Sequence, residues 1–223
     1  FDQDLSDDID TNLFDPVVLQ QRDAITGKAM GRGVTYFFNH AHHQLVLRHY
    51  RRGGLIAKIS NDRYIWKGLS QTRAWQEWHL LAKLHTLGLP VPQPFAAHVR
   101  HQGLFYRADI ITILIADVTP LGEKLKHDPL ETDDWENIGK TIRAFHNNGV
   151  FHADLNAHNI LLTKDKVFLT DFDKGKILPI NTQWQQNNLQ RLHRSLKKQQ
   201  SLNPGFHFNE ANWEILQNAY KGV

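Results

Sequence analysis

A short polar loop between two apolar segments constrains this chain most strongly: residues 149–162, with the sequence GVFHADLNAHNILL. Within it His152, Asp154 and Asn159 follow the spacing H-x-D-x-x-x-x-N, and Asp171 comes nine residues after the segment ends. Transfer of a phosphoryl group from a nucleotide requires a carboxylate beside the attacking hydroxyl, together with an amide and a second carboxylate that hold metal ions on the phosphates. The spacing therefore indicates Asp154 as the candidate base and Asn159 and Asp171 as the candidate metal ligands.

Size and composition limit the remaining possibilities. With 223 residues, the chain can bury a sizeable core in one domain or in two small lobes. It contains no cysteine, which excludes disulfides, thiolate catalysis and cysteine-ligated zinc. The longest apolar run, residues 110–116, is far shorter than the roughly 20 residues that a transmembrane helix needs. We therefore expect a cytoplasmic location, either free or on a membrane surface.

Charge is distributed unevenly along the chain. Residues 1–21 contain six aspartates and no lysine or arginine, although the whole chain has a formal net charge of +3. We expect this acidic start to be a solvated or mobile arm. The rest of the chain is basic and could meet an anionic partner, but charge alone does not distinguish a phosphate substrate, a lipid head group and a nucleic acid.

The patterns around the loop predict a mixture of strands and helices. A glycine-rich turn at 27–33 precedes expected strands at 34–38 and 44–50, and its backbone N–H groups could lie over phosphates. Apolar residues at helical spacing predict a helix over 72–87, which carries Glu77 away from its apolar stripe. The other expected elements are two strand-like runs in 104–116, a helix with Trp135, Ile138, Ile142 and Phe145 on one face, a helix with Leu189, Leu192 and Leu196 as its stripe, and a last helix over 209–220.

The order of these parts resembles the protein-kinase-like fold. Within that fold, four strings resemble the Kdo kinases, which phosphorylate the 3-deoxy-D-manno-octulosonic acid (Kdo) of the lipopolysaccharide inner core. The strings are GRGVTYF (31–37), LRHYRRGGLIAKISNDRY (47–64), HADLNAHNILL (152–162) and LTDFDKG (169–175). The resemblance implies an α+β, two-lobed fold. Its parts would be an acidic arm at 1–21, a β-rich N-lobe at 22–117, and a short, mostly helical C-lobe at 118–223.

The resemblance also implies a role for each matching position of the catalytic half. Asp154 would orient or deprotonate the acceptor hydroxyl. Asn159 and Asp171 would bind Mg²⁺ on the phosphates of ATP. His152 would support the loop beneath the metal-binding aspartate. ATP and Mg²⁺ are therefore the expected cofactors.

Positions outside the catalytic loop are implied to bind the nucleotide and the acceptor. The nucleotide-binding candidates are Gly31, Arg32 and Gly33 in the turn, a strand cation that is either Arg48 or Lys58, and Glu77 as the ion-pair partner of that cation. Arginine at the strand position would keep the charge with a geometry different from that of lysine. The candidates for holding the anionic acceptor are Arg51, Arg52 and Arg63.

The expected acceptor is a small molecule or a glycolipid rather than a protein. Only 52 residues follow Asp171, and they contain no A-P-E string with which to build an activation segment. The resemblance implies Kdo-lipid A as the acceptor, its 4-hydroxyl as the position, and a peripheral location on the cytoplasmic side of the inner membrane. Contact with an anionic membrane surface could come from Arg191, Arg194, Lys197 and Lys198, and the alternative is that the helix carrying them is an ordinary solvated one. No nucleic acid is expected, and the oligomeric state stays open.

Two alternatives of a different kind remain. An aminoglycoside or choline-type phosphotransferase shares the H-x-D-x-x-x-x-N spacing, but its cationic acceptors favour an acidic pocket, whereas residues 47–64 are basic. A non-catalytic kinase-like binding module is the second alternative. The presence of Asp154, Asn159 and Asp171 together argues against it.

Overall fold

A computed structural model describes residues 9–31, 33–52 and 62–222. The chain divides into two compact units, one formed by residues 1–83 and 92–115 and the other by residues 84–91 and 116–223. The first is rich in strands and the second in helices, so the predicted α+β class is confirmed. Among the described residues, no helix combines the length and apolar character needed to cross a bilayer.

A six-stranded sheet forms the centre of the first unit. Its strands are β1 (Ile25–Met30), β2 (Val34–His40), β3 (His43–His49), β4 (Tyr64–Ile65), β5 (Pro94–Gln102) and β6 (Phe105–Ile113). They pair antiparallel in the order β1-β2-β3-β6, and β6 also pairs with β4 and β5. The strands predicted at 34–38 and 44–50 are confirmed as β2 and β3, whereas residues 27–30, predicted as part of a turn, continue β1.

The pairing of β5 with β6 differs from the sequence prediction. Residues 104–116 were expected to hold two strand-like runs, but β6 runs without a break from Phe105 to Ile113. Its partner β5 was not predicted, because it begins at Pro94 and follows two other prolines. Proline is compatible with the first position of a strand, where its missing N–H removes no ladder hydrogen bond.

The described part of the acidic segment is folded into the first unit. A 3₁₀ turn at Thr11–Phe14 and helix α1 (Pro16–Gln21) place Leu13, Phe14 and Leu19 in a buried cluster with residues of β2, β3 and β5. The aspartates contribute directly, because the Asp10 and Asp15 carboxylates accept the N–H groups of Asn12 (2.9 Å) and Val17 (2.8 Å). Side-chain caps of this kind satisfy the unpaired donors at a helix start. This part of the segment is therefore not the solvated arm suggested by its charge.

Helix α2 (Arg73–Thr86) matches the helix predicted over 72–87. Gly88 has φ +70° and donates its N–H to the carbonyl of His85 (2.9 Å), which ends the helix as the sequence indicated. The buried face differs from the prediction. Trp75 is 38% exposed and stacks on His79, whereas Glu77 is only 2% exposed.

Four helices and five short strands make up the second unit. They are β7 (Thr119–Pro120), α3 (Leu121–His127), α4 (Thr132–Asn147), β8 (Val150–Phe151), β9 (Ile160–Leu162), β10 (Val167–Leu169), β11 (Lys176–Ile177), α5 (Thr182–Leu202) and α6 (Glu210–Lys221). β9 pairs with β7 and β10, and β8 pairs with β11. The helices predicted before the loop and at the end of the chain are confirmed as α4, α5 and α6, and α3 was not predicted.

Helices α4 and α6 pack closely against each other, and α4 leads into the loop that carries Asp154. The four apolar residues predicted for one face of α4 are at most 1% exposed. Gly139 lies on α4 where a Cβ atom would collide with the backbone oxygen of Leu216, so the two helices can approach only with glycine there. After α4 the chain turns at Gly149, whose φ is +71°, and enters β8 and the loop.

Candidate active site

Asn159 and Asp171 lie at the same end of the β9–β10 hairpin. Ile160 pairs with Leu169 in the ladder, and the N–H of Thr170 donates to the carbonyl of Asn159 (3.0 Å). The two predicted metal ligands therefore start from neighbouring backbone positions. Asp171 has φ +60°, a left-handed conformation that aspartate tolerates better than most residues and that is concentrated at functional sites.

His152 connects the loop that contains Asp154 to the segment that leads into Asp171. Its Nε2 donates to the carbonyl of Thr170 (2.9 Å), and its Nδ1 accepts the N–H of Asp154 (3.1 Å), an arrangement that requires the neutral ring. Burial lowers the pKa of His152 and so favours the same neutral form. The ring of Phe172 packs against it, with centroids 4.7 Å apart. His152 thus has the supporting position that the resemblance implied.

Asn159 has an oxygen suited to a metal ion. Its Nδ2 donates to the carbonyl of Asp154 (2.9 Å), so its amide nitrogen is used within the loop and its Oδ1 is the atom that can serve as a ligand. No group of three or more histidine, aspartate or glutamate side chains suited to a metal occurs among the described residues. A Mg²⁺ ion held by Asn159 and Asp171 would complete its coordination with phosphate oxygens and water, as Mg²⁺ commonly does at nucleotide sites. The donor set fits that ion.

Asp154, the candidate base, is bound by Arg191 of helix α5. The Nε and Nη2 groups of Arg191 both donate to Oδ1 of Asp154, at 3.1 and 2.5 Å. The arginine side chain is 47% exposed and the aspartate side chain 27%. The sequence assigned Arg191 to a membrane-facing cluster, whereas the structure places it on the carboxylate at the centre of the proposed chemistry.

A stripe of polar residues on α5 follows the catalytic loop, and we call it the loop-facing stripe. Its members are Asn188, Arg191, Ser195 and Gln199, and they contact His152, Asp154, Ala157 and His158 respectively. Asn188 is 3% exposed; it accepts the N–H of His152 (3.2 Å) and donates to its carbonyl (3.0 Å). The sequence analysis did not predict this stripe. The signal was present, because its members are spaced three or four residues apart and such residues share one face of a helix.

In the first unit Arg48 and Glu77 form a largely buried ion pair. Glu77 accepts hydrogen bonds from the guanidinium of Arg48 and from the hydroxyl of Tyr50 (2.6 Å). Arg48 was one of two predicted partners for Glu77. The other, Lys58, lies outside the described residues, so which cation contacts the phosphates stays a prediction.

The glycine turn and the three acceptor candidates also belong to the first unit. The N–H of Gly31 donates to the carbonyl of Gly33 (2.9 Å), and Arg32 lies outside the described residues. A Cβ on Gly33 would come within 2.8 Å of Arg51, which places that arginine beside the turn. Arg52 instead donates to the carbonyl of Arg63 (2.8 Å). The structure therefore brings Arg52 and Arg63 together and places Arg51 beside Gly33.

Comparison with known proteins shows the family. Residues 17–220 match the lipopolysaccharide kinase (Kdo/WaaP) family. The chain belongs to this family. A 3-deoxy-D-manno-octulosonic acid kinase of Vibrio parahaemolyticus is 41% identical over 220 residues, covering 98% of this chain and 92% of the relative. Enzymes of the same name from Mannheimia succiniciproducens (41% over 218 residues) and Haemophilus influenzae (39% over 219 residues) each match 94% of this chain and 90% of their own length.

Family membership confirms the resemblance drawn from the four strings. The chain is an ATP-dependent sugar kinase, and the non-catalytic alternative is set aside. Among solved structures, the Cydia pomonella granulovirus kinase PK-1 matches 73% of this chain and 56% of its own, with 16% identity and a TM-score of 0.47, which is below the similarity at which a shared fold can be argued.

Proposed function

We propose that this kinase transfers the γ-phosphoryl group of ATP to the 4-hydroxyl of a Kdo residue on Kdo-lipid A. The observation that carries the proposal is the ion pair of Asp154 with Arg191, in a loop whose Asn159 is hydrogen-bonded through its backbone to Thr170, the residue before Asp171. Relatives about 40% identical over nearly the whole chain are named as Kdo kinases. Within the kinase-like fold implied by the sequence, we take the first unit as the N-lobe and the second as the C-lobe.

The chemistry assigned to Asp154 is a single proton transfer. The acceptor hydroxyl donates a hydrogen bond to the carboxylate, its oxygen attacks the γ-phosphorus, and the bond from that phosphorus to the β–γ bridging oxygen breaks to release ADP. The hydroxyl proton moves to Asp154. Because the transition state is loose, catalysis depends mainly on positioning and on neutralising phosphate charge. The two hydrogen bonds from Arg191 hold the carboxylate in one direction, which makes Arg191 a positioning residue.

Each group proposed to hold the nucleotide is assigned from its surroundings within its own unit. Asn159 and Asp171 would hold Mg²⁺, which supplies positive charge at the phosphate oxygens. Glu77 holds the guanidinium of Arg48 in one direction, which suits a cation that neutralises phosphate charge. The turn that contains Gly31 and Gly33 is the second candidate contact, through peptide N–H groups other than that of Gly31, which already donates to the carbonyl of Gly33.

Recognition of the acceptor is assigned to cations. Kdo has a carboxylate, and nearly half of the Arg191 side chain is exposed beside the base, so the same guanidinium can meet an anionic sugar. Arg51, Arg52 and Arg63 stay the further candidates. A cationic acceptor of the aminoglycoside or choline type would be repelled by Arg191. A lipid-borne acceptor places the kinase on the cytoplasmic side of the inner membrane as a peripheral protein.

Transfer of label from γ-labelled ATP to purified Kdo-lipid A, with Mg²⁺, tests the proposal. Label should enter the glycolipid with the wild type and with Asp165→Asn, an exposed aspartate of the same unit, but not with Asp154→Asn. ATP binding without transfer to Kdo-lipid A would reject the acceptor and keep the kinase. Phosphorus–proton NMR correlation of the product identifies the hydroxyl, and phosphate on any position other than the 4-hydroxyl would reject that assignment.

A further inference from the structure

Three apolar side chains are exposed next to one another at one end of the first unit's sheet. Ile65 is 61% exposed, Leu104 77% and Phe105 42%. Ile65 lies directly opposite Phe105 in the β4–β6 ladder, and the carbonyl of Leu104 accepts the N–H of Trp66 (3.0 Å). Single exposed apolar residues are ordinary on a protein surface, whereas a contiguous group with a polar border marks an interaction site.

Cationic side chains border this apolar group. Arg63, Lys67 and Arg100 are exposed and Arg107 is half-buried. Arg100 and Arg107 contact the carboxylates of Asp109 (3.2 Å) and Asp62 (2.7 Å), which offset part of the charge. A shallow cavity of about 380 Å³ opens here, and its lining includes Arg63, Arg100, Phe105 and Arg107. We call residues 63–67 and 100–107 together the basic–apolar tip.

The internal packing of the tip does not require its exposed apolar residues. Tyr64 and Tyr106 pair on the opposite face of the same two strands, with ring centroids 5.4 Å apart, and both are buried. Trp66 stacks on His101 at 4.1 Å. These contacts hold β4 against β6, whereas alternation along the strands directs Ile65 and Phe105 to the other face. Polar side chains would serve that solvent-exposed face equally well.

We propose that the basic–apolar tip docks on an anionic lipid bilayer. Ile65, Leu104 and Phe105 would enter the boundary between head groups and acyl chains, and the surrounding cations would contact lipid phosphates. A second copy of the chain fits less well, because a two-fold interface pairs the same patch with itself and would bring arginines against arginines. The proposal rests on the proposed function in one respect: a lipid-borne acceptor gives the kinase a reason to meet a membrane.

The tip fits a bilayer better than the basic cluster of helix α5 does. Two of the four α5 cations assigned to the membrane have partners within the second unit, since Arg191 binds Asp154 and Lys197 binds Glu210 at 2.7 Å. The leucine stripe of the helix, residues 189, 192 and 196, is buried. Among the described residues of α5, one large apolar side chain near Lys198 is strongly exposed, Leu202, and it does not form a contiguous group of the kind that the tip presents.

Flotation with vesicles tests the docking surface without ATP or acceptor. The full chain is mixed with vesicles of phosphatidylcholine alone or of phosphatidylcholine with phosphatidylglycerol. We expect binding to the anionic vesicles, and about a tenfold lower partition coefficient for Leu104→Ser and for Lys67→Glu. The matched controls are Leu202→Ser, a leucine 65% exposed in the second unit, and Lys198→Glu on α5, and both should bind as the wild type does. Thermal melting shows whether each variant is folded.

Several outcomes would overturn the proposal. These are equal binding to neutral vesicles, unchanged binding by Leu104→Ser, and a loss caused by Lys198→Glu but not by Lys67→Glu. A dimer that Leu104→Ser dissociates, with vesicle binding unaffected, would instead make the tip an interface between copies.

Failure of the proposed function can be distinguished from failure of the docking proposal. Leu104→Ser should transfer phosphate normally to detergent-dispersed Kdo-lipid A and poorly to vesicle-embedded Kdo-lipid A. Absence of transfer in both by the wild type rejects the function and leaves the vesicle result standing.

Discussion

Replacing Arg191 with alanine tests whether helix α5 sets the direction of the candidate base. Hydrogen bonds to charged groups contribute about 1.5–3 kcal/mol when buried, whereas exposed ion pairs contribute about 1 kcal/mol or less. The contribution of the Arg191–Asp154 pair should lie between these limits. Two donors of Arg191 meet one oxygen of Asp154 at 3.1 and 2.5 Å, but 47% of the arginine side chain is exposed. We take about 1–2 kcal/mol, which corresponds to roughly a five- to thirtyfold loss of kcat if the pair orients Asp154 in the transition state.

Steady-state phosphoryl transfer to Kdo-lipid A measures this effect. Arg191→Ala should lower kcat and leave the KM for ATP unchanged, because the residue contacts the base and not the nucleotide candidates. Arg191→Lys should be intermediate, since an ammonium group keeps the charge but cannot reproduce the planar fork of donors. Arg194→Ala, an exposed position one turn later, is the matched control and should keep the wild-type kcat.

Two results would refute the reasoning about Arg191. An unchanged kcat in Arg191→Ala would mean that the ion pair does not orient the base during transfer. A raised kcat would mean that Arg191 shields Asp154 and must be displaced by the acceptor. Wild-type melting temperature in the same variant is required for either conclusion, because it separates an effect on chemistry from loss of folded protein.

The remaining predictions concern stability. Asn188→Leu should lower the free energy of unfolding in urea by about 2–5 kcal/mol, because it leaves the buried N–H and carbonyl of His152 unsatisfied. Asn187→Leu, at an exposed position, is its control. Equal losses of unfolding free energy in the two variants would contradict the role assigned to Asn188. Burial lowers the pKa of His146 to about 4, so the unfolded chain binds its proton first, and about 3 kcal/mol of stability should be lost as pH falls from 7 to 4. His146→Gln should flatten urea midpoints over that range, and an unchanged slope would exclude His146 as the cause. Gly139→Ala should lower the melting temperature by several degrees, because the added Cβ forces α4 and α6 apart. Gly205→Ala is the control and should leave the melting temperature unchanged, since no atom lies within 4 Å of its added Cβ. Similar melting temperatures for the two variants would contradict the packing argument.

Features encoded within one segment could be predicted from the sequence. The catalytic loop, the α4 face and the last helix each depend on spacing within about one to four turns, and the structure contains all three. Asn209 caps α6 by accepting the N–H of Asn212 (3.0 Å), as a start at that residue requires. The ion pair of Arg48 with Glu77 was foreseen only as one of two possibilities, because strand register depends on distant partners.

Features that depend on tertiary pairing could not be predicted. Strand β5 was missed because prolines at its start resemble a loop, while its pairing with β6 compensates for them. The aspartates near residues 10–15 indicate a solvated arm by charge alone, although two of them cap helical turns that place apolar side chains in the core. Arg191 was assigned to a membrane surface because its partner lies 37 residues earlier in the chain.

The loop-facing stripe predicts that its members act on catalysis as one unit. Asn188 holds the backbone at His152, and Arg191 holds the side chain of Asp154 two residues further along the same loop. If the loop moves when Asn188 is replaced, Arg191 can no longer direct the carboxylate, and the second replacement should then cost little. The fold loss of kcat in the double variant, Asn188→Ala with Arg191→Ala, should therefore be smaller than the product of the fold losses in the two single variants. The difference corresponds to a coupling free energy of about 0.5–3 kcal/mol. Pairing Arg191→Ala with Gly205→Ala supplies the additive control. Strict additivity in the first pair would mean that α5 holds the loop and orients the base by separate means.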